Sequence, residues 1–223
     1  MSRKNVNVQE KSKTDKEHHL LFNTIAPVYG LFFNRQKRKF AEVLQRVEPE
    51  LDLTSFTTIL DVGCGTGALC SVLHQKGLEV TGIEPATKML SIAKRKTKAQ
   101  DINLMQANVL EGLAFEKNSF DIAIASYVAH GLLPDERKRL YKEMGRVAKE
   151  YVVIYDYNQK RSALTSLIEW MEGGDYFHFI RNAEKEMKGC STELKACFSE
   201  VRVINADVRA SWYVCTPLLD QDI

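Results

Sequence analysis

The chain has 223 residues, 44% of them hydrophobic and 27% charged, with a formal net charge of +2. That length and balance fit one folded domain, or a domain with a small appendage, able to bury a substantial core. Near-neutral charge gives no whole-chain attraction for nucleic acid or an acidic membrane, and no apolar run is long enough to cross a bilayer.

Residues 1–17 are polar and lysine-containing. They read as a mobile tail without the apolar core of a secretory signal, so the expected compartment is the cytoplasm. Residues 18–50 turn helical and form an N-terminal cap. Leu20, Leu21, Ile25 and Val28 make one stripe, Phe40, Val43, Leu44 and Val47 another, and Pro49 closes the segment.

From residue 57 strands and helices alternate. Strands are expected at 58–61, 79–83, 103–106, 121–126 and 151–155. Helices are expected at 68–76, stopped by Gly77, at 87–96, and from Pro134 onward. Such alternation calls for a doubly wound, mostly parallel sheet with helices on both faces. Residues 158–190 form a helical, aromatic insertion with Trp170, Tyr176, Phe177, His178 and Phe179. Strands at 201–204 and 209–215 then close a seven-stranded α/β domain over 51–223.

The five cysteines, Cys64, Cys70, Cys190, Cys197 and Cys215, are odd in number and without CxxC spacing, which implies reduced thiols. No His or Cys cluster has ligand spacing, so no metal is expected. Cys64 invites a nucleophile reading, but a small residue in a tight loop more simply serves packing.

In an open α/β sheet, ligands bind outside the carboxyl ends of the strands. Asp61, Glu84, Asn108, Ser126 to His130 and Asp156 all fall just past expected strand ends. The first turn carries Gly63, Gly65 and Gly67, spaced two apart, whereas a nicotinamide site prefers G-x-G-x-x-G. Glu84, at the next strand tip, can accept hydrogen bonds from both hydroxyls of a ribose. Asp61 would crowd a pyrophosphate but suits an ammonium group. This asymmetry argues for S-adenosyl-L-methionine, with S-adenosyl-L-homocysteine as product.

The runs Leu60-Asp61-Val62-Gly63-Cys64-Gly65-Thr66-Gly67, Gly82-Ile83-Glu84-Pro85-Ala86-Thr87-Lys88-Met89-Leu90 and Asn118-Ser119-Phe120-Asp121 resemble the class I S-adenosylmethionine-dependent methyltransferases. Phe22-Asn23-Thr24-Ile25-Ala26-Pro27-Val28-Tyr29 is similar to the cap of the small-molecule branch that includes the ubiquinone and menaquinone enzymes. The resemblance implies that the three glycines line the methionyl portion, with Cys64 among them, and that Asp61 organises its amino group. It also implies Glu84 on the ribose, Pro85 or Ala86 against the adenine, and Asn108 and Val109 at the adenine edge and face; Ser126, at the fourth strand tip, is a further expected cofactor contact. Tyr29 would close over the cofactor. Asn108 stands where many relatives have aspartate, and Gly30 where the cap usually has an acid.

The expected reaction is methyl transfer to a small, apolar or aromatic metabolite. His130, Asp156 and Tyr127 are candidate general bases, and a purely structural role for the His130 ring stays open. A homodimer also stays open. Nucleic acid is not expected as substrate, because Ser126-Tyr127-Val128-Ala129 replaces the Asn/Asp-Pro-Pro-Tyr run of amino-directed nucleic-acid methylases. A non-catalytic cofactor-binding regulator of the same fold is the alternative from another class.

Overall fold

The structure, a computed structural model, describes residues 30–157, 193–208 and 210–218. Tyr29, the stripe Leu20, Leu21, Ile25 and Val28, the N-terminal tail and the aromatic insertion lie outside the described residues.

Seven strands pair into one sheet: β1 (Thr58–Val62), β2 (Glu79–Ile83), β3 (Ile102–Met105), β4 (Phe120–Ser126), β5 (Ala148–Tyr157), β6 (Phe198–Ile204) and β7 (Ala210–Pro217). Their order is β3-β2-β1-β4-β5-β7-β6. The first five run parallel, while β7 lies antiparallel to both β5 and β6. Around them stand α1 (Phe33–Val47), α2 (Ala68–Gln75), α3 (Thr87–Lys96) and α4 (Pro134–Val147). Residues 193–197 are helical and lead directly into β6. Strand order reverses between β1 and β4, which places a crevice at their carboxyl ends.

The central strands have no polar face because each one feeds two cores. Ile59, Ile122, Ile124, Val153, Tyr155, Trp212 and Val214 join the core under α1 and α2. Their neighbours Leu60, Ala123, Ala125, Val152, Ile154, Tyr213 and Cys215 join the core under α4. Side chains alternate across a strand, so an unbroken apolar run is what two covered faces require. Leu140 on α4 is fully buried in the second core. Leu140→Ala should cost about 2–5 kcal/mol of stability, read from denaturant unfolding.

Local chemistry sets the element ends. Gly77, at φ +94°, follows the last turn of α2. Pro134 opens α4, and the Glu136 carboxylate accepts from the Leu133 N–H at 2.9 Å. Asp121 accepts from the Thr57 and Thr58 amides, both at 2.9 Å, and so pins the start of β1 to β4. These bonds hold its carboxyl below the usual range. α4 passes into β5 with no intervening loop.

β2 and α3 have the expected limits. β5 begins three residues earlier than expected and ends two later. Its margins are paired, Ala148 with Phe120 and Tyr157 with Ala210, although Lys149 and Glu150 are exposed.

Candidate active site

A cavity of about 330 Å³ opens at the carboxyl ends of β1, β2, β4 and β5. Its wall includes Asp61, Gly63, Cys64, Gly65, Glu84, Pro85, Asn108, Val109, Ser126, Tyr127 and His130. The scattered strand tips thus converge on one space. Gly67 is not part of the wall: a Cβ there would stand 3.1 Å from the Ala93 Cβ, so this glycine serves the approach of α2 to α3. Asp156 is also set behind the wall and acts on it through His130.

The glycine turn is built from positive φ values, +71° at Gly63 and +55° at Gly65. Its first amides, Gly63 and Cys64, donate to the Ile83 carbonyl at the tip of β2. A Cβ at Gly63 would meet Val128 at 2.7 Å, whereas one at Gly65 would meet nothing within 4 Å among the described residues. Gly65 therefore presents bare backbone to open space.

Two carboxylates flank that backbone. Glu84 Oε2 accepts from the Gly65 N–H at 2.9 Å and Oε1 from the Ala86 N–H at 2.8 Å. Burial raises its pKa against these two bonds. Each oxygen keeps a further lone pair, as a diol clamp needs. Asp61 is 1% exposed. The Cys70 thiol donates to its Oδ2 at 3.1 Å. Burial pushes the Asp61 carboxyl up to about 7, the thiol bond opposes this, and the Glu84 charge adds to it. Among the described residues no cation pairs with Asp61. A buried carboxylate in this state is suited to a ligand that brings a positive charge.

Cys64 and Cys70 lie together beneath the turn. A Cβ on Gly82 would sit 3.1 Å from one sulfur and 2.8 Å from the other. The bond with Cys70 favours the Cys64 thiolate, but burial and the two carboxylates outweigh it and hold the thiol above its ordinary range. A nucleophilic cysteine needs the opposite.

On the next tip Asn108 caps the 3₁₀ turn Val109–Glu111. Its Oδ1 accepts from the Leu110 N–H at 3.1 Å, and its amide donates to Glu111 at 3.1 Å. Val109 is buried beside it.

The far side of the cavity is aromatic. Tyr127, at φ +57°, donates its backbone N–H to the Tyr155 carbonyl at 2.8 Å and its hydroxyl to the Tyr155 hydroxyl at 3.0 Å. Burial, with Tyr155 alongside, lifts the Tyr127 phenol well above its ordinary range. The Tyr157 ring stands 5.1 Å from Tyr127 and 5.0 Å from His130. The Ser126 Oγ is buried without a hydrogen-bond partner among the described residues.

His130 lies on the 3₁₀ turn Ala129–Gly131. Its Nδ1 is 3.0 Å from Asp156 Oδ1, and its backbone N–H donates to Oδ2 at 3.0 Å. Asp156 also accepts from the Tyr157 N–H at 2.8 Å. Beyond this turn the buried Arg137 donates to the Leu132 carbonyl at 2.9 Å and pairs with Glu193 at 3.0 Å. That link ties residue 193 to the cavity rim.

Sequence reasoning passed over Gln36 and Phe40 of α1, and Tyr157. Gln36 accepts from the Thr66 hydroxyl at 3.1 Å and, with Phe40, lines the cavity. Tyr157 had a signal. It lies two residues past Tyr155, on the same face of β5.

Residues 60–155 match the protein family described as Methyltransferase domain. An uncharacterized methyltransferase of Bacillus mycoides is 34% identical over 127 residues, covering 54% of this chain and 57% of that protein. One from Staphylococcus carnosus is 30% identical over 127 residues, covering 56% and 59%. The chain thus spans little more than half the length of the curated relatives it matches. A putative S-adenosyl-L-methionine-dependent methyltransferase from Methanococcus maripaludis superposes with a TM-score of 0.68 at 16% identity, covering 90% of this chain and 95% of that one. Among the described residues no helix is long and apolar enough to cross a membrane, and no cluster could hold a metal. Over residues 60–155, then, the chain is similar to a methyltransferase domain, and its fold is shared with the solved methyltransferase structure.

Proposed function

We propose that the protein transfers a methyl group from S-adenosyl-L-methionine to a small, apolar or aromatic metabolite. The observation that carries this reading is the bare Gly65 backbone between Asp61 and Glu84. Bound there, the cofactor supplies a methyl group already activated by a sulfonium. Asp61 would hold the amino group and Glu84 the ribose hydroxyls. Pro85, Asn108 and Val109 would enclose the adenine, with Tyr29 as a further cofactor contact. The acceptor would lie on the side of Ser126, Tyr127 and His130, where the protein's task is alignment and exclusion of water. Holding two reactants in line can supply on the order of 7–11 kcal/mol of the barrier.

The sequence resembles the small-molecule branch that includes the ubiquinone and menaquinone enzymes. In this reading the protein works in the cytoplasm, without nucleic acid, and a homodimer is compatible with it.

Glu84→Ala tests the cofactor half. It removes two charge-assisted bonds to the diol, each worth roughly 1.5–3 kcal/mol, and also frees the Gly65 amide. Calorimetry with S-adenosyl-L-homocysteine should give affinity at least tenfold weaker. Unchanged affinity would remove Glu84 from the site.

A further inference from the structure

We propose that Gln36 is the donor for the α-carboxylate of the cofactor, and that this contact makes the protein select S-adenosyl-L-methionine over its decarboxylated form. This assignment rests on the cofactor site above and adds the residue that meets the far end of the methionyl tail.

An amino-acid tail brings two charges, and Asp61 answers only one of them. It suits the ammonium, but the carboxylate on the same carbon needs a donor of its own. Without one it would face Asp61 and Glu84, two acids of the same wall. The glycine turn is poorly placed to help, because its amides are already committed. Those of Gly63 and Cys64 donate to the Ile83 carbonyl at 2.9 and 3.0 Å, and that of Gly67 to the Cys64 carbonyl at 2.9 Å. The Gly65 amide is held by Glu84 at 2.9 Å.

Gln36 meets the need. It belongs to the cavity wall together with Thr66, the residue after Gly65. Its Oε1 accepts from the Thr66 hydroxyl at 3.1 Å. With Oε1 held there, Nε2 is the part of the amide that offers donors to a ligand, two of them and no acceptor. A neutral donor also suits this wall. A lysine or arginine in its place would compete with the ligand's ammonium for Asp61.

The helix that carries Gln36 is fixed before any ligand arrives. Phe33, Val43, Leu44 and Val47 of α1 are buried. Lys39 pairs with Asp207 at 2.6 Å, and Arg46 donates to the Ala206 carbonyl at 3.1 Å. At the other end the Lys96 ammonium lies 5.6 Å from the centre of the Phe33 ring. Gln36 and Phe40, four residues apart, turn one face of this helix to the cavity. A donor on so well packed an element is preorganised for its ligand. Thr66, 4% exposed, is the positioning residue for the amide.

The test is calorimetry on the full chain with three ligands. They are S-adenosyl-L-homocysteine, its decarboxylated analogue, which keeps the amine, and methylthioadenosine, which lacks the amino-acid end altogether. Wild type should bind S-adenosyl-L-homocysteine more tightly than the analogue. Gln36→Ala should erase that preference. It should weaken S-adenosyl-L-homocysteine at least tenfold, as loss of a bond to a charged group does, and leave the other two ligands at wild-type affinity. Gln36→Glu should reverse the preference, because a carboxylate there repels the ligand's carboxylate and attracts its amine. Thr66→Val keeps the shape and removes the hydroxyl, and should weaken S-adenosyl-L-homocysteine alone. Retained binding of methylthioadenosine reports that the variants fold.

Unchanged affinity of Gln36→Ala for S-adenosyl-L-homocysteine would overturn the assignment. So would equal losses for all three ligands in a variant that still melts cooperatively, since Gln36 would then act through the shape of the wall. A wild type that binds the decarboxylated analogue as tightly as S-adenosyl-L-homocysteine would overturn the selectivity. Failure of wild type to bind any of the three would instead overturn the cofactor site on which the proposal rests.

Discussion

Gly65→Val is expected to abolish binding of S-adenosyl-L-homocysteine, weakening it at least a hundredfold by calorimetry, while the protein still melts cooperatively. The added Cβ would project where no atom of the described residues lies within 4 Å, into the space assigned to the methionyl tail. The backbone there has φ +55°, so a β-branched residue also adds strain of roughly 1–3 kcal/mol. Strain alone does not account for lost binding, and Gly77 separates the two effects. It has φ +94° and equally open surroundings, but it lies past the end of α2, outside the cavity wall. Gly77→Val should lower the melting temperature by a similar amount and leave affinity intact. Equal binding losses in the two variants would mean that the turn acts through stability rather than contact.

The second large effect concerns pH. The Asp61 carboxyl is held up to about 7, chiefly by burial, while the α-amino group of an amino-acid ligand stays an ammonium well above that. The attractive pair, carboxylate with ammonium, therefore forms as the pH rises through about 7. Affinity for S-adenosyl-L-homocysteine should rise through that range and fall roughly tenfold per pH unit below it, as Asp61 takes up a proton. Asp61→Asn should lose this acid limb and bind at least tenfold more weakly on the alkaline side of it. A calorimetric pH series that keeps the acid limb in the variant would assign that proton elsewhere.

Stability should move in the opposite sense. The unfolded chain releases the Asp61 proton near 3.8, whereas the folded chain keeps it to about 7. Between these values the folded state binds more protons, so rising pH removes stability, in total by about 4 kcal/mol. Asp61→Asn escapes that loss, and the ligand-free variant should melt above the wild type at pH 8. A protein that keeps an ionisable acid here sacrifices resting stability for ligand binding.

How legible this was in the sequence depends on the range of the interaction. β2 and α3 could be read to the residue because short-range signals bound them: Gly77 before β2, and basic residues at the end of α3 where the helix dipole favours them. β5 was read short because Lys149 and Glu150 look like loop residues. They sit at a register shift, and their strand state follows from the pairing of Ala148 and Tyr151 on either side with β4, distant in the chain. The carboxylates Asp61 and Glu84 were legible for the same reason as the strands whose carboxyl ends carry them. Spacing treats the three glycines alike, whereas the packing of α3 sets Gly67 apart from the other two. His130 and Asp156 could each be placed past a strand tip. Their contact, 26 residues apart in the chain, depends on the turn following Tyr127.

The hollow above Gly82 carries a constraint on how this chain can diverge. Two sulfurs, from the loop and from the first turn of α2, fill the volume that a side chain on β2 would take. Positions 64, 70 and 82 therefore share one fixed allotment of space, and a gain of atoms at any of them requires a loss at another. Among descendants these three sites should change in concert, leaving a correlated trace even where each residue alone looks interchangeable.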